Sequence, residues 1–241
     1  MDDKWLDDEA ARERPTVAVD LILMSVIDGR PTVLLMRRDR PPFQGVWALP
    51  GGFVGIAESL DEAARRVLAE KAQMSDAYVE QLYTFGEVPR DPRMRIISVA
   101  YFALLPAERF AAALKAAPDL ALAEVAVPWK GEAGGPVEMR LAQGDPLTLA
   151  FDHGEMLSVA MRRLRGKLDY SGVAFALLPE RFTLRALQDV YEAILDTPLN
   201  KPAFRRRMLD RGWLEPTGER EAGSSFRPAE LYRYRMLKGE R

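Results

Sequence analysis

Gly52, Glu58, Arg66 and Glu70, in the segment GFVGIAESLDEAARRVLAEKAQM (Gly52 to Met74), have the types and spacing to handle a phosphate. Glycine lets backbone amides approach an anion closely, where a side chain would obstruct them. Carboxylates about one turn apart on a helix hold Mg²⁺ beside a diphosphate, since that hard ion wants several oxygen ligands and shares them with phosphate. The helix is readable from its start: Ser59-Leu60-Asp61-Glu62 is a capping box. Leu60, Ala63, Ala64, Val67 and Leu68 repeat at helical spacing, a stripe made to pack on a sheet. Positions 67, 70 and 71 fall about one turn apart on a neighbouring face, and they carry Val, Glu and Lys. One carboxylate beside a lysine is a poor Mg²⁺ site. The residues therefore predict no metal site and no catalytic residue.

The segment resembles the Nudix box, G-x5-E-x7-R-E-U-x-E-E-x-G-U with U a bulky aliphatic, found in hydrolases of nucleoside diphosphates linked to another moiety. Gly52, Glu58, Arg66, Leu68 and Glu70 stand on its expected places, whereas Val67, Lys71 and Gln73 stand where the family has Glu, Glu and Gly. Upstream, VLLMRRDRPPFQGVWALPGGFV (Val33 to Val54) is similar to the stretch that precedes the box. There an aliphatic strand, an arginine and W-x-L-P-G-G recur. The resemblance implies a Nudix α/β/α sandwich around a mixed sheet. Activity is a separate question, decided by the site and not by the fold.

At 241 residues the chain is long enough for two modest domains, and 48% hydrophobic with 29% charged residues is the composition of a globular protein. With no cysteine, disulfides, thiolate metal sites and cysteine nucleophiles are excluded; the one histidine, His153, leaves no histidine-rich metal cluster. The acidic start (Asp2, Asp3, Asp7, Asp8, Glu9) lacks the pattern of a signal peptide, and no apolar run approaches membrane-spanning length, so the expectation is a cytoplasmic protein without a membrane partner. The net charge of −2 hides an asymmetry: residues 1–150 carry 17 basic and 23 acidic side chains, residues 151–241 carry 17 and 13. One acidic domain and one that meets a polyanion would give this split.

The division is placed at 1–150 and 151–241, between the loops around Lys130–Pro136 and Gln143–Pro146 and the helical periodicity that follows. Before it, Thr16–Val26 and Ile96–Leu105 read as strands, and Gly86–Arg93 as a charged turn. After it, Asp152 and Glu155 signal a helix start, with Leu157, Ala160, Met161 and Leu164 inward. A further helix begins at Thr183, and Asp196–Leu199 forms a short turn. Asn200 then caps a basic helix running to about Arg211. Phe204 and Met208 anchor that helix, leaving Lys201, Arg205, Arg206 and Arg207 to project. A polar loop, Pro216–Pro228, and an alternating strand, Leu231–Arg235, complete a hairpin whose tip includes Ser224, Ser225 and Arg227. Helix, turn, basic helix and hairpin is the order of a winged helix-turn-helix, whose second helix reads the major groove of double-stranded DNA.

Nearly the whole chain resembles the Nudix-related transcriptional regulators, bacterial repressors of NAD-metabolism genes. The resemblance rests on the box, RDPRMRIISVAYFAL (Arg90 to Leu104), FDHGEML (Phe151 to Leu157), Leu164 to Ile194 and KPAFRRRML (Lys201 to Leu209). It implies an α+β chain with a Nudix domain and a C-terminal winged helix. It also implies a homodimer that senses ADP-ribose or a related nucleotide and binds operator DNA, with no cofactor. Relatives that respond to sugars, and an active hydrolase of ADP-ribose-like substrates, are the alternatives. Candidate ligand residues are Arg37, Arg38, Trp47, Gly51, Gly52, Arg93 and Arg95; Arg37 and Arg38 either pair with the ligand or form surface salt bridges, and Trp47 and a second aromatic, Phe43, either stack on a base or join the core. Candidate DNA contacts are Lys201, Arg205, Arg206, Arg207, Ser224, Ser225 and Arg227. Glu58 and Arg66 are expected to brace the box loop, and His153 to serve domain docking.

Overall fold

A computed structural model describes residues 14–75, 77–141, 144–222 and 228–235. The N-terminal part runs β1 (Thr16–Ile27), β2 (Arg30–Arg37), β3 (Trp47–Ala48), β4 (Gly51–Phe53), α1 (Leu60–Ala72), β5 (Glu80–Phe85) and β6 (Ile96–Leu104). It continues with α2 (Glu108–Ala116), β7 (Leu120–Ala126), β8 (Glu138–Leu141) and β9 (Pro146–Leu147). Then follow α3 (His153–Lys167), β10 (Phe182–Thr183), α4 (Leu184–Leu195), α5 (Lys201–Asp210), β11 (Leu214–Arg220) and β12 (Glu230–Tyr234).

One mixed sheet, in the order β5-β6-β1-β2-β7-β8-β9, forms the middle layer, with β3 added on β2 and β4 on β1. Strand β1 pairs parallel to β6 but antiparallel to β2 and β4. Because side chains alternate along a strand, β1 serves two cores at once. Val19, Leu21 and Leu23 meet Ala63, Ala64, Val67 and Leu68 of α1 and Phe110 of α2. Ile22 and Met24 face the other way, into a cluster with Met156, Leu157 and Ala160 of α3 and Leu187 and Tyr191 of α4. The sheet is thus sandwiched between α1/α2 and α3/α4, a Nudix-type layering.

Helix α1 starts as the capping box specifies: Glu62 N–H donates to the Ser59 hydroxyl, and the Glu62 carboxylate accepts from Ser59 N–H at 2.8 Å. Thr183 caps α4 and Asn200 caps α5, each through its side-chain oxygen. Helices α4 and α5, with the small sheet β10-β12-β11, form the winged helix. Its core of Phe175, Phe182, Phe204, Met208, Trp213 and Tyr232 is continuous with the cluster under α3.

Three readings of the sequence are corrected. The loop expected from Pro216 is strand as far as Arg220. Asp152 sits at the N-cap position of α3 but makes no capping bond; its carboxylate is taken by Arg90. Val67 belongs to the buried face of α1 and not to a face shared with positions 70 and 71. Strands β5, β7, β8 and β9 and helix α2 were not legible, being short or carrying little polar/apolar alternation.

Candidate functional site

The residues that meet in space converge on a cavity of about 340 Å³ at one end of the central strands. Strand β1 contributes Ala18 and Asp20, the end of β2 contributes Met36 and Arg38, and β4 contributes Gly51, Gly52 and Phe53. Lys71 arrives from the last turn of α1, and Arg90, Asp91 and Arg93 from the segment before β6. Phe151 and His153, at the entrance to α3, close the wall. A larger cleft of about 570 Å³ lies between β8–β9 and α3, lined by Met139, Leu149, Ser158 and Arg162 among others. It has no comparable gathering of cations, so the smaller cavity is the candidate.

Two arginines confront each other there across one aromatic ring. The Arg38 guanidinium lies 4.7 Å from the Phe151 ring centre and the Arg93 guanidinium 5.7 Å from it; Arg93 also lies 5.4 Å from the ring of Phe53. Arg38 donates to the carbonyl oxygens of Pro42 and Arg40. Arg93 is clamped by two donor bonds to the Asp91 carboxylate, at 3.0 and 2.7 Å. Burial, and then the like charge of Arg93, push the Arg38 guanidinium below its ordinary pKa. The hydrogen bonds that Arg93 donates to Asp91 raise its own pKa. Burial alone would raise Asp91, but bonds from Arg93 more than offset it and the carboxyl sits low. Adjacent like charges on a half-apolar wall are relieved by an anion between them, and π faces beneath them suit a planar base. Phe151 itself is held at φ 55, left-handed for a residue with a side chain, at the point where the chain turns into α3.

Behind this wall lies a buried polar knot. Arg90, its side chain 3% exposed, donates two bonds of 2.8 and 2.7 Å to Asp152 and lies 3.8 Å from Asp20. Ser98 of β6 donates to the same Asp20 oxygen, Oδ2, that Arg90 approaches. His153 Nδ1 accepts from the Leu49 N–H at 2.9 Å, so its proton sits on Nε2, 3.6 Å from the Asp20 carboxylate. Burial pushes the imidazole below its ordinary pKa despite the carboxylates of Asp20 and Asp152, and His153 is neutral. Gly51 is required by the same packing, since a methyl group there would fall 2.0 Å from Asp20 Oδ1.

The box residues have divided roles. Glu58 takes two bonds from Arg66, at 2.7 and 2.8 Å, and one from Gly55 N–H, while Arg66 also reaches the Phe53 carbonyl. The bonds from Arg66 and then from Gly55 hold the Glu58 carboxyl down at about 2. Glu70 lies 3.7 Å from Arg66. Val67 is 1% exposed, and its methyl sits against Gly52. Lys71 lines the cavity. Among the described residues no group of three or more His, Asp or Glu side chains is placed to hold a metal ion.

Of the ligand residues expected from sequence, Arg38, Gly51, Gly52 and Arg93 line the cavity together. Arg37 and Arg95 do not, bonding instead to the carbonyls of Gly45 and Glu87. Trp47 packs on the core below, and Phe43 stands edge-on to Phe151 at 4.9 Å. Sequence reasoning missed Asp20, Arg90, Asp91, Phe151 and Asp152 as wall or knot residues. A lone carboxylate in the apolar run TVAVDLILMSV is the signal that would have found Asp20.

In the winged helix, Phe204 and Met208 are buried while Lys201, Arg205, Arg206 and Arg207 are exposed. Lys201 and Arg206 have no partner among the described residues, and Arg207 is loosely drawn to Asp169 at 3.8 Å. Ser224, Ser225 and Arg227 lie outside the described residues.

Comparison with known proteins gives two family matches: a NUDIX domain at residues 14–128 and an NrtR DNA-binding winged helix domain at residues 174–234. The ADPR responsive transcriptional repressor NtrR of Acinetobacter baylyi is 36% identical over 224 residues, 92% of this chain and 83% of that protein. The ADP-ribose pyrophosphatase of Methanocaldococcus jannaschii is 36% identical over 87 residues, 36% of this chain and 49% of that enzyme. The crystal structure of Shewanella oneidensis NrtR complexed with a 27mer DNA superposes with a TM-score of 0.74 at 33% identity, covering 91% of this chain and 93% of that one. No described helix is long and apolar enough to cross a membrane.

Two measurements probe the site's supports. Asp152→Ala leaves the Arg90 guanidinium buried without its partner and is expected to cost roughly 3 kcal/mol or more in urea unfolding; a loss below about 1 kcal/mol contradicts a buried pair. Glu58 has a folded pKa near 2 against an ordinary 4.5, so its ionised form stabilises the fold above pH 4.5 and that contribution fades as pH falls toward 2. Glu58→Gln should therefore be less stable than the parent at neutral pH, with the gap closing as pH drops through that window. A gap independent of pH would dismiss the ionised brace.

Proposed function

The chain belongs to the family that joins a Nudix domain to an NrtR-type DNA-binding winged helix, and from that premise we propose that it is a transcriptional repressor of NAD-metabolism genes whose Nudix half senses ADP-ribose or a related nucleotide. The observation that carries this is the cavity where Arg38 and Arg93 flank Phe151. It offers cations for a diphosphate and a flat ring for a base, and its wall is the first turn of the helix leading to the winged helix. The Acinetobacter relative is named as ADPR-responsive, and the Shewanella relative was crystallised with DNA; both support the reading. Lys201, Arg205, Arg206 and Arg207 supply a cationic helix for the major groove. The sensing domain is taken as 1–150 and the DNA-binding domain as 151–241.

The proposed protein is a cytoplasmic homodimer and not an enzyme. Val67 puts a buried methyl group, and Lys71 an ammonium, where hydrolysis would want carboxylates, while Glu70 is drawn to Arg66. The partial likeness to an ADP-ribose pyrophosphatase speaks for the ligand class and not for turnover.

Sensing requires linkage between the two sites. Helix α3 supplies it mechanically. Its first turn holds His153 on Leu49 and Asp152 on Arg90. Near its other end Arg165 donates to the carbonyls of Ile194 in α4 and Trp129. Arg211, just past α5, donates to the carbonyls of Leu168 and Asp169. A ligand that favours one seating of Phe151 and His153 thereby biases the placement of α4 and α5, and in a dimer the separation of two recognition helices. That separation must match half-sites about one helical turn, roughly 34–36 Å, apart.

ADP-ribose is expected to weaken operator binding in a mobility-shift titration; equal binding with and without it sinks the effector assignment. Converting Arg205, Arg206 and Arg207 together to Ala should abolish the shift while leaving nucleotide affinity intact. An undiminished shift removes α5 as the recognition helix.

A further inference from the structure

A diphosphate brought into this cavity needs its charge met there, and in Nudix chemistry that is the work of Mg²⁺. The residues present do not fit that ion. Val67 offers no oxygen, and its methyl group is packed against Gly52. Glu70 is drawn to Arg66. Each carboxylate on the cavity wall already has a donor or cation of its own: Asp20 has Ser98 and Arg90, Asp39 has Arg40 at 3.5 Å, and Asp91 has both donor bonds from Arg93. A hard divalent ion would find no open set of oxygens.

The same wall carries two cations without a carboxylate partner among the described residues. Arg38 bonds only to carbonyl oxygens. Lys71 is exposed at the rim, with no hydrogen bond or ion pair, and borders the cavity alongside Gly52 and Phe53. Its position follows from helix geometry. Val67 meets Gly52 from the buried face of α1, and Lys71, exposed and one turn further on, borders the cavity beside it. A flexible stem ending in three donors can reach a phosphate oxygen in the cavity that Arg38 and Arg93 also line.

We propose that the Lys71 ammonium takes the place of the divalent cation and binds the diphosphate directly, so that this site recognises its ligand without metal. The inference rests on the nucleotide-sensing reading above. It adds a chemical consequence: an ammonium neutralises charge but has no coordination position for water, so the residue that holds the ligand also leaves it uncut.

Calorimetric titration of the full chain with ADP-ribose, in EDTA and in Mg²⁺, tests it. The parent is expected to bind equally in both. Lys71→Gln should weaken binding by about tenfold or more, the worth of a charge-assisted hydrogen bond to phosphate, and Lys71→Arg should stay within a few-fold of the parent. Thermal unfolding should be the same for all three, because Lys71 makes no contact the fold depends on. Binding that needs Mg²⁺, or a Lys71→Gln variant that binds like the parent, overturns the inference while leaving the nucleotide reading standing. Absence of binding in either buffer overturns both.

Discussion

The bidentate pair between Arg90 and Asp152, with His153 accepting from Leu49 beside it, fastens the start of α3 to the end of the central sheet. Neither charge is stable alone in that environment, since an unpaired buried guanidinium or carboxylate would cost several kcal/mol. The pair therefore specifies where α3 begins, and with it the seating of Phe151, whose left-handed backbone the surroundings must enforce. Everything downstream inherits that placement. Arg165 ties α3 to α4, and Arg211 ties the end of α5 back to the end of α3. Under the proposed reading, the placement of the DNA-binding helices is thus tied to a buried polar contact behind the candidate cavity.

Electrostatics at the cavity follow a second rule. Arg93 is neutralised by Asp91, Arg40 by Asp39, and Arg90 by Asp152. Arg38 and Lys71 are left over. A site that satisfied every cation internally would have little reason to take up an anion, whereas one with many free cations would repel itself apart. Here the surplus is small, and part of its cost appears as the downward shift of Arg38 caused by burial and by its neighbour Arg93.

Much of this was legible in the sequence where a local rule acts alone. Capping boxes and N-caps depend on residues three apart, so Ser59, Thr183 and Asn200 marked their helices correctly. The basic helix could be read because Phe204 and Met208 occupy the positions four apart that its basic neighbours do not. What stayed hidden depends on distance along the chain. Asp152 has the type and place of a cap, but a partner 62 residues earlier outcompetes the backbone for its carboxylate. Asp20 looks like an interruption in an apolar strand until Ser98, Arg90 and His153 are seen around it. Gly51 was read as leaving room for phosphate, and the group it makes room for is Asp20. The short strands β8 and β9 carry too few residues for period two to register.

The packing of Val67 bears on how a sensor differs from an enzyme of the same fold. If positions 67 and 71 had merely drifted from carboxylates, their side chains would be expected to stand idle. Val67 does not. It is buried between α1 and β4, its methyl 3.1 Å from where a side chain on Gly52 would begin, and it joins the cluster that seats α1 on the sheet. A carboxylate there would have to displace that contact and find its own counter-charge, with Lys71 one turn away. Val67 seats α1 on the sheet, and Lys71, one turn further on, borders the cavity. Under the proposed reading, the loss of the metal and the gain of an internal cation fall within one turn of the same helix.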